Sequence, residues 1–281
     1  RSSAAGRVEI MGDWSVDVPY ERVLITGGGS GIGRGTALQL ASLGKTVYVM
    51  GRRQDALDET VSLGSELPGT LTACAGDATD PDAVDAVFSA VEQDGPATAL
   101  VHAAAQVSLG PAMRISPAEF RQTIDNTLCA AFNVLQRWAK PLLDHGTAGA
   151  AVMMTSSTAT GGAPGISHSS AGKAGVTSLV RAVGREWGPA GLRVNCVGPG
   201  AFPIAKSEAM FGSQVVQDRM NEMIALQRYG QLPEIVGPIM FFLSSASMYT
   251  TGQSLVVDGG QTLVPWLIPL EALEAGLNNQ Y

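Results

Sequence analysis

Seven short runs of β-branched and other apolar residues punctuate the chain: RVLIT at 22–26, TVYVM at 46–50, LTAC at 71–74, ALVH at 99–102, AAVMMT at 150–155, LRVNCV at 192–197 and SLVV at 254–257. Longer stretches with apolar residues at helical spacing separate them. One of these, RISPAEFRQTIDNTLCAAFNVLQRWAKPLL, carries Ser116 and Pro117 as N-cap and first-turn residues. Such alternation predicts an α/β fold: a doubly wound, mostly parallel sheet of about seven strands with helices on both faces. The near-continuous apolar character of the strands fits burial on both sides. The 281 residues suffice for one such domain with a well-buried core, and no stretch reads as a linker.

Composition narrows the partners. Hydrophobic residues make up 45% and charged residues 15%, which suits a tightly packed protein that buries further surface in a homo-oligomer. A net charge of −7 and an isoelectric point near 5 argue against nucleic acid, whose binders present a basic patch or stripe. Cys74, Cys129 and Cys196 are odd in number, widely spaced and set in apolar stretches. They read as buried thiols of a cytoplasmic, reducing compartment rather than disulfides or a metal site. The three histidines lack metal-ligand spacing, so no metal is expected. No run reaches the roughly 18 apolar residues of a membrane span. Residues 1–21 read as an N-terminal extension; the first ten lack the hydrophobic core of a signal peptide and look like a leader or cloning remnant before Met11.

Directly after the first strand comes TGGGSGIGRGTALQLASLG, with Gly27, Gly31 and Gly33 in the spacing T-G-x-x-x-G-x-G. Glycines there allow a sharp turn and bring the backbone N–H groups of Ser30, Gly31 and Ile32 toward a pyrophosphate, which the positive end of the following helix also attracts. Strand, glycines and helix occur in the order that a dinucleotide site requires. The second strand ends VMGRRQDAL, with Gly51 where an acidic residue would hold the free ribose hydroxyls of NADH. Arg52 and Arg53 follow; a guanidinium pairs with a 2′-phosphate, which favours NADPH. The competing reading makes them solvated helix-start residues.

From about residue 22 to 262 the chain resembles the short-chain dehydrogenase/reductases. The motifs that carry the resemblance are TGGGSGIG at 26–33, GDATD at 76–80, HAAAQ at 102–106, the serine pair 156–157, SSAGK at 169–173, RVNCVGPG at 193–200 and TGQSLVVDGG at 251–260. The resemblance implies a single-domain Rossmann fold over 22–281, assembled as a homotetramer or homodimer. It also implies Asp77 and Ala78 near the adenine, Ala103 and Ala104 behind the ribose, Pro199 and Gly200 near the nicotinamide, and Lys173 on its ribose.

The family's catalytic set is Asn, Ser, Tyr and Lys. Ser156 and Lys173 match the serine and the lysine, but Ser169 stands in the tyrosine position, and Thr127, beside Asn126, in that of the asparagine. In carbonyl reduction a tyrosine whose pKa is lowered by the neighbouring ammonium protonates the alkoxide. A serine hydroxyl is shorter and far less acidic. Reduction of a C=C bond beside a thioester yields instead an enolate, whose oxygen needs hydrogen-bond donors and positive charge more than immediate protonation. The 2,4-dienoyl-CoA reductase branch of the family, which this chain resembles, also has a serine four residues before its lysine. It recruits another tyrosine eleven residues before that serine, where this chain has Thr158. The expected activity is therefore NADPH-dependent reduction of an enoyl thioester of CoA or a carrier protein, with Ser156, Ser169 and Lys173 as catalytic residues and water or another group protonating the α-carbon. Two alternatives stay open: a ketone/alcohol oxidoreductase whose tyrosine was replaced by Ser169, and a non-redox enzyme or inactive NADP-binding protein.

His168, next to Ser169, is expected to face an interface or solvent, because adjacent helical residues point about 100° apart. His102 reads as a packing or hydrogen-bonding replacement for asparagine, and His145 as an exposed helix end. Residues 202–230 occupy the family's substrate lobe; there Met210, Phe211, Met220 and Met223 read either as an adaptable apolar wall for an acyl group or as ordinary core methionines. The apolar tail 262–281 reads as an oligomer contact, with Trp266 positioned to close a neighbour's pocket.

Overall fold

The computed structural model describes residues 17–104, 108–203 and 214–263, apart from the side chain of Val216. Seven strands, β1 (Arg22–Thr26), β2 (Thr46–Gly51), β3 (Thr70–Ala75), β4 (Ala99–His102), β5 (Gly149–Met154), β6 (Leu192–Pro199) and β7 (Ser254–Val257), form one parallel sheet in the order β3-β2-β1-β4-β5-β6-β7. Each predicted strand is present, shifted by at most two residues at its ends. Among the described residues the helices are α1 (Gly31–Ser42), α2 (Gln54–Leu63), α3 (Pro81–Glu92), α4 (Pro117–Ile124), α5 (Ala130–His145), the short α6 (Thr158–Gly161), α7 (Ser167–Trp187), α8 (Gln214–Met223) and α9 (Leu232–Leu243). None is long and apolar enough to cross a membrane.

The strand pattern explains the two cores. In β1, Leu24 faces one side of the sheet with Leu100, Met153 and Trp138, while Val23 and Ile25 face the other with Val47, Val101 and Ile239. Alternation along a strand sends successive side chains to opposite faces, so an all-apolar strand feeds both cores at once. The edge strands β3 and β7 are the exceptions, with Thr70, Thr72, Ala75 and Leu255 exposed.

The predicted long helix begins where Ser116 accepts a hydrogen bond from Glu119 N–H and Pro117 occupies the first turn. It is interrupted by a π-turn at Asp125–Cys129, where Ala130 N–H donates to Asp125 O. Two expectations about cysteine fail for local reasons. Only Cys196 is buried; Cys74 is half-buried on the edge strand, and Cys129 is exposed on the outer side of the π-turn.

Between β1 and β4 the strand order reverses, which opens a crevice at the carboxyl ends of the strands. Thr26, Gly51, His102, Met154 and Pro199 all end there.

Candidate active site

The glycine turn is built around backbone contacts that side chains would break. Gly27 and Gly31 have φ of +71° and +53°, which L-residues with a Cβ rarely adopt. A Cβ on Gly33 would lie 2.3 Å from the Gly27 carbonyl oxygen, and one on Gly27 would lie 2.7 Å from the backbone of Ala103. Gly27 and Gly28 N–H both donate to Met50 O, and Thr60 donates to Gly28 O, so the turn is pinned from β2 and α2. Ser30 caps α1 without a side-chain hydrogen bond. The first-turn N–H groups of α1 are thereby left for an anion, and the partly accessible residues 30–32 admit one. The turn fits a dinucleotide pyrophosphate.

The residues expected around the rest of the cofactor line the same edge. Ala103 N–H donates to Thr26 O, which ties β4 to β1 beside Gly27. Arg52 and Arg53 are exposed just past β2, and Arg52 lies 4.0 Å from Asp77 at the end of β3. Asp77 Oδ1 accepts from both the N–H and the hydroxyl of Thr79. Ala78 is buried. Pro199 O accepts from Ser157 N–H, and Gly200 packs so closely on Asp258 that a Cβ would come within 2.5 Å of that side chain.

Ser156 and Lys173 meet at the end of β5, and Ser169 lies on the same helix as Lys173. Lys173 Nζ donates to Met154 O at 2.6 Å, two residues before Ser156. Ser169 lies one turn earlier on α7; it is buried, and its hydroxyl has no partner among the described residues. Ser170, also buried, donates to Thr158 Oγ1 at 3.1 Å, two residues after Ser156. Thr158 and Ser156 hydroxyls are 3.0 Å apart, and Thr158 N–H donates to Ser156 Oγ.

Burial lowers the Lys173 pKa to about 8. His102 ends β4 with Nδ1 2.9 Å from Thr26 Oγ1, while its buried Nε2 has no partner among the described residues. Burial, assisted by the Lys173 charge, depresses its pKa to about 3, so the imidazole is neutral. This is the hydrogen-bonding role expected of it. His145 is exposed at the end of α5, also as expected.

His168 corrects the expectation. It is fully buried, with Nε2 2.8 Å from Ser108 Oγ, and Ser108 donates to Glu119. The first turn of α7 is covered by α4 and by the segment after β4, so a position 100° from Ser169 still points inward. Thr127 is buried against Gly172 of α7, and Asn126 is half-buried beside it. In the lobe, Met220 is half-buried and Met223 is 62% exposed, so Met223 is not a core methionine. Met210, Phe211, Trp266 and the extension up to residue 16 lie outside the described residues.

A family profile described as enoyl-(acyl carrier protein) reductase matches residues 27–262. The chain belongs to the short-chain dehydrogenase/reductase family. A protein of Bacillus subtilis (strain 168) named "Probable 2,4-dienoyl-CoA reductase" is 34% identical to this short-chain dehydrogenase/reductase over 249 residues, covering 87% of this chain and 97% of that one. Gluconate 5-dehydrogenase of Gluconobacter oxydans (strain 621H) is 33% identical over 244 residues, 86% of this chain and 94% of that protein. The crystal structure of a gluconate 5-dehydrogenase from Burkholderia cenocepacia J2315 in complex with NADP and tartrate superposes with a TM-score of 0.82 at 26% identity, covering 87% of this chain and 96% of that one. The fold is thus the single-domain Rossmann type of this oxidoreductase family, whose members bind a nicotinamide cofactor.

The sequence pointed to Ser156, Ser169 and Lys173 but missed Thr158 and Ser170 as hydroxyl partners. Thr158 entered only as the place where a tyrosine is missing, and Ser170 not at all. Nothing in their spacing reveals a bond between α6 and α7.

Proposed function

We propose that the protein is an NADPH-dependent reductase of the C=C bond of an α,β-unsaturated acyl thioester, carried by CoA or a carrier protein. The observation that carries this reading is the pairing of Lys173 with a buried serine, Ser169, where the family's carbonyl reducers hold a tyrosine. The similarity to a protein named as a dienoyl-CoA reductase supports it.

Gly27, Ser30, Gly31, Ile32 and Gly33 hold the pyrophosphate, Arg52 and Arg53 the 2′-phosphate, Asp77 and Ala78 the adenine end, and Ala103, Ala104, Lys173, Pro199 and Gly200 the nicotinamide half. NADPH, when bound, supplies a hydride, and hydride gained at the β-carbon of an enoyl thioester leaves negative charge on the thioester oxygen. Ser156 and Ser169 donate hydrogen bonds to that oxygen. Lys173, protonated below about pH 8, adds positive potential in a site where water screens poorly. Both hydroxyls are engaged at the enolate oxygen, and the α-carbon takes its proton from water or another group. The acyl group is assigned to the segment 202–230, and the active form is a homodimer or homotetramer.

The decisive experiment follows NADPH absorbance with conjugated enoyl-CoAs, 3-ketoacyl-CoAs and simple ketones. Oxidation with the enoyl thioesters alone is expected. Turnover that arises only after Ser169→Tyr, and then with ketones, overturns the reading in favour of a carbonyl reductase, the chemistry suggested by the gluconate 5-dehydrogenase relative.

A further inference from the structure

The three hydroxyls of Ser170, Thr158 and Ser156 form a chain whose first bond has a direction. Ser170 Oγ donates its proton to Thr158 Oγ1 at 3.1 Å. Ser156 Oγ receives Thr158 N–H at 3.2 Å and lies 3.0 Å from Thr158 Oγ1. A hydroxyl carries one donor hydrogen and two acceptor sites. Ser170 donates into Thr158 and leaves Thr158 its own hydrogen, for which Ser156 Oγ is the acceptor within reach, although the Thr158–Ser156 pair taken alone permits either direction. In the direction from Thr158 to Ser156, both acceptor sites of Ser156 are filled from Thr158, and only its hydrogen is left to bind anything else.

We infer that Ser170 and Thr158 are positioning residues that set the direction of the Ser156 hydroxyl, committing it to donate to the substrate oxygen. Hydrogen bonds in series polarise one another, so each bond upstream makes Ser156 a better donor. The chain is anchored at both ends: Ser170 is buried on α7, and Ser157 N–H holds the backbone beside Ser156 to Pro199 O. A preset donor costs no reorientation when charge develops, which is the condition for effective oxyanion stabilisation. The inference rests on the role of Ser156 as oxygen donor in the proposed reaction; the direction of the chain itself does not depend on which oxygen is bound.

The direction makes an unusual double-variant prediction. In Ser170→Ala, Thr158 Oγ1 loses its incoming donor and becomes an acceptor for Ser156, so the Ser156 hydrogen turns away from substrate and kcat falls about tenfold. In Ser170→Ala/Thr158→Val that competing acceptor is gone. Ser156 again has only the substrate to donate to, and kcat recovers to within about threefold of the parent. With Ser156→Ala as background, Ser170→Ala changes kcat by less than about twofold. A double variant slower than Ser170→Ala alone overturns the inference, since a purely structural role predicts that losses accumulate. Neutron diffraction of the NADPH-loaded parent protein reads the direction without substrate. The deuteron of Ser156 is expected off the Ser156–Thr158 line, and a deuteron on that line pointing to Thr158 overturns the inference. The expected deuteron position in a protein that reduces no enoyl thioester leaves the chain standing and removes the proposed reaction instead.

Discussion

Lys173 Nζ donates to the Met154 carbonyl at 2.6 Å, in a site where the lysine is almost wholly buried. That carbonyl is its one hydrogen-bond partner among the described residues and carries no charge, so the ammonium is held at a cost the fold bears elsewhere. Lys173→Met is expected to abolish turnover and yet raise stability at pH 7 by about 1–3 kcal/mol, less what the abandoned carbonyl loses. The sign with pH follows from the lowered pKa. Between about pH 8 and the unfolded lysine value, the unfolded chain holds a proton that the native protein lacks, so parent stability rises. Urea unfolding at pH 7 and pH 10 should show the advantage of the variant shrinking at the higher pH; a constant gap contradicts the assignment.

His102 predicts an acid limb of the same sign, with stability again rising with pH. Its folded pKa lies near 3 and its unfolded value near the ordinary 6.5, so below pH 6.5 only the unfolded chain takes the proton. Stability is therefore lost as pH falls through that window, by about 1.4 kcal/mol per pH unit from this residue. His102→Asn, which retains a side chain able to bond Thr26, should flatten the limb by that amount. Denaturant midpoints at pH 7, 5.5 and 4.5 for the two proteins measure the difference.

Gly33→Ala tests the cradle. The added methyl meets the Gly27 carbonyl, which is backbone and cannot swing aside. NADPH binding, read by fluorescence titration, should weaken by at least about tenfold, with thermal stability lowered as well. Gly44→Ala provides the contrast: its methyl meets nothing within 4 Å, but its φ of +80° is strained. It should lower stability by about 1 kcal/mol and leave NADPH binding unchanged.

These sites differ in how much of them the chain discloses. The strands were legible because burial on both faces leaves runs such as RVLIT with no polar alternation, and the cradle because the turn admits only glycine where backbone meets backbone. Ser169 and Lys173 were legible as one helix face, four residues apart. The burial of His168 was not, since it depends on α4 and on Ser108 arriving from elsewhere in the chain. The π-turn at Asp125–Cys129 was not legible either: its residues have ordinary helical preferences, and helical spacing does not reveal one extra residue in a turn. Cys74 and Cys129 misled because apolar neighbours in sequence do not say which side of an edge strand or helix faces out.

Arg52 and Arg53 carry the cofactor preference. Both are exposed beyond β2, where Gly51 offers no carboxylate, and Arg52 lies 4.0 Å from Asp77. An exposed pair at 4.0 Å contributes little to stability. A charge-assisted bond to a 2′-phosphate is worth about 1.5–3 kcal/mol, which predicts NADPH affinity falling by about 10- to 100-fold in Arg52→Ala. NADH lacks that phosphate and should bind the parent and the variant alike. Titration of both cofactors against both proteins separates the outcomes. Equal losses for NADH and NADPH would place Arg52 in general support of the turn, and no loss for either would make it a solvated helix-start residue.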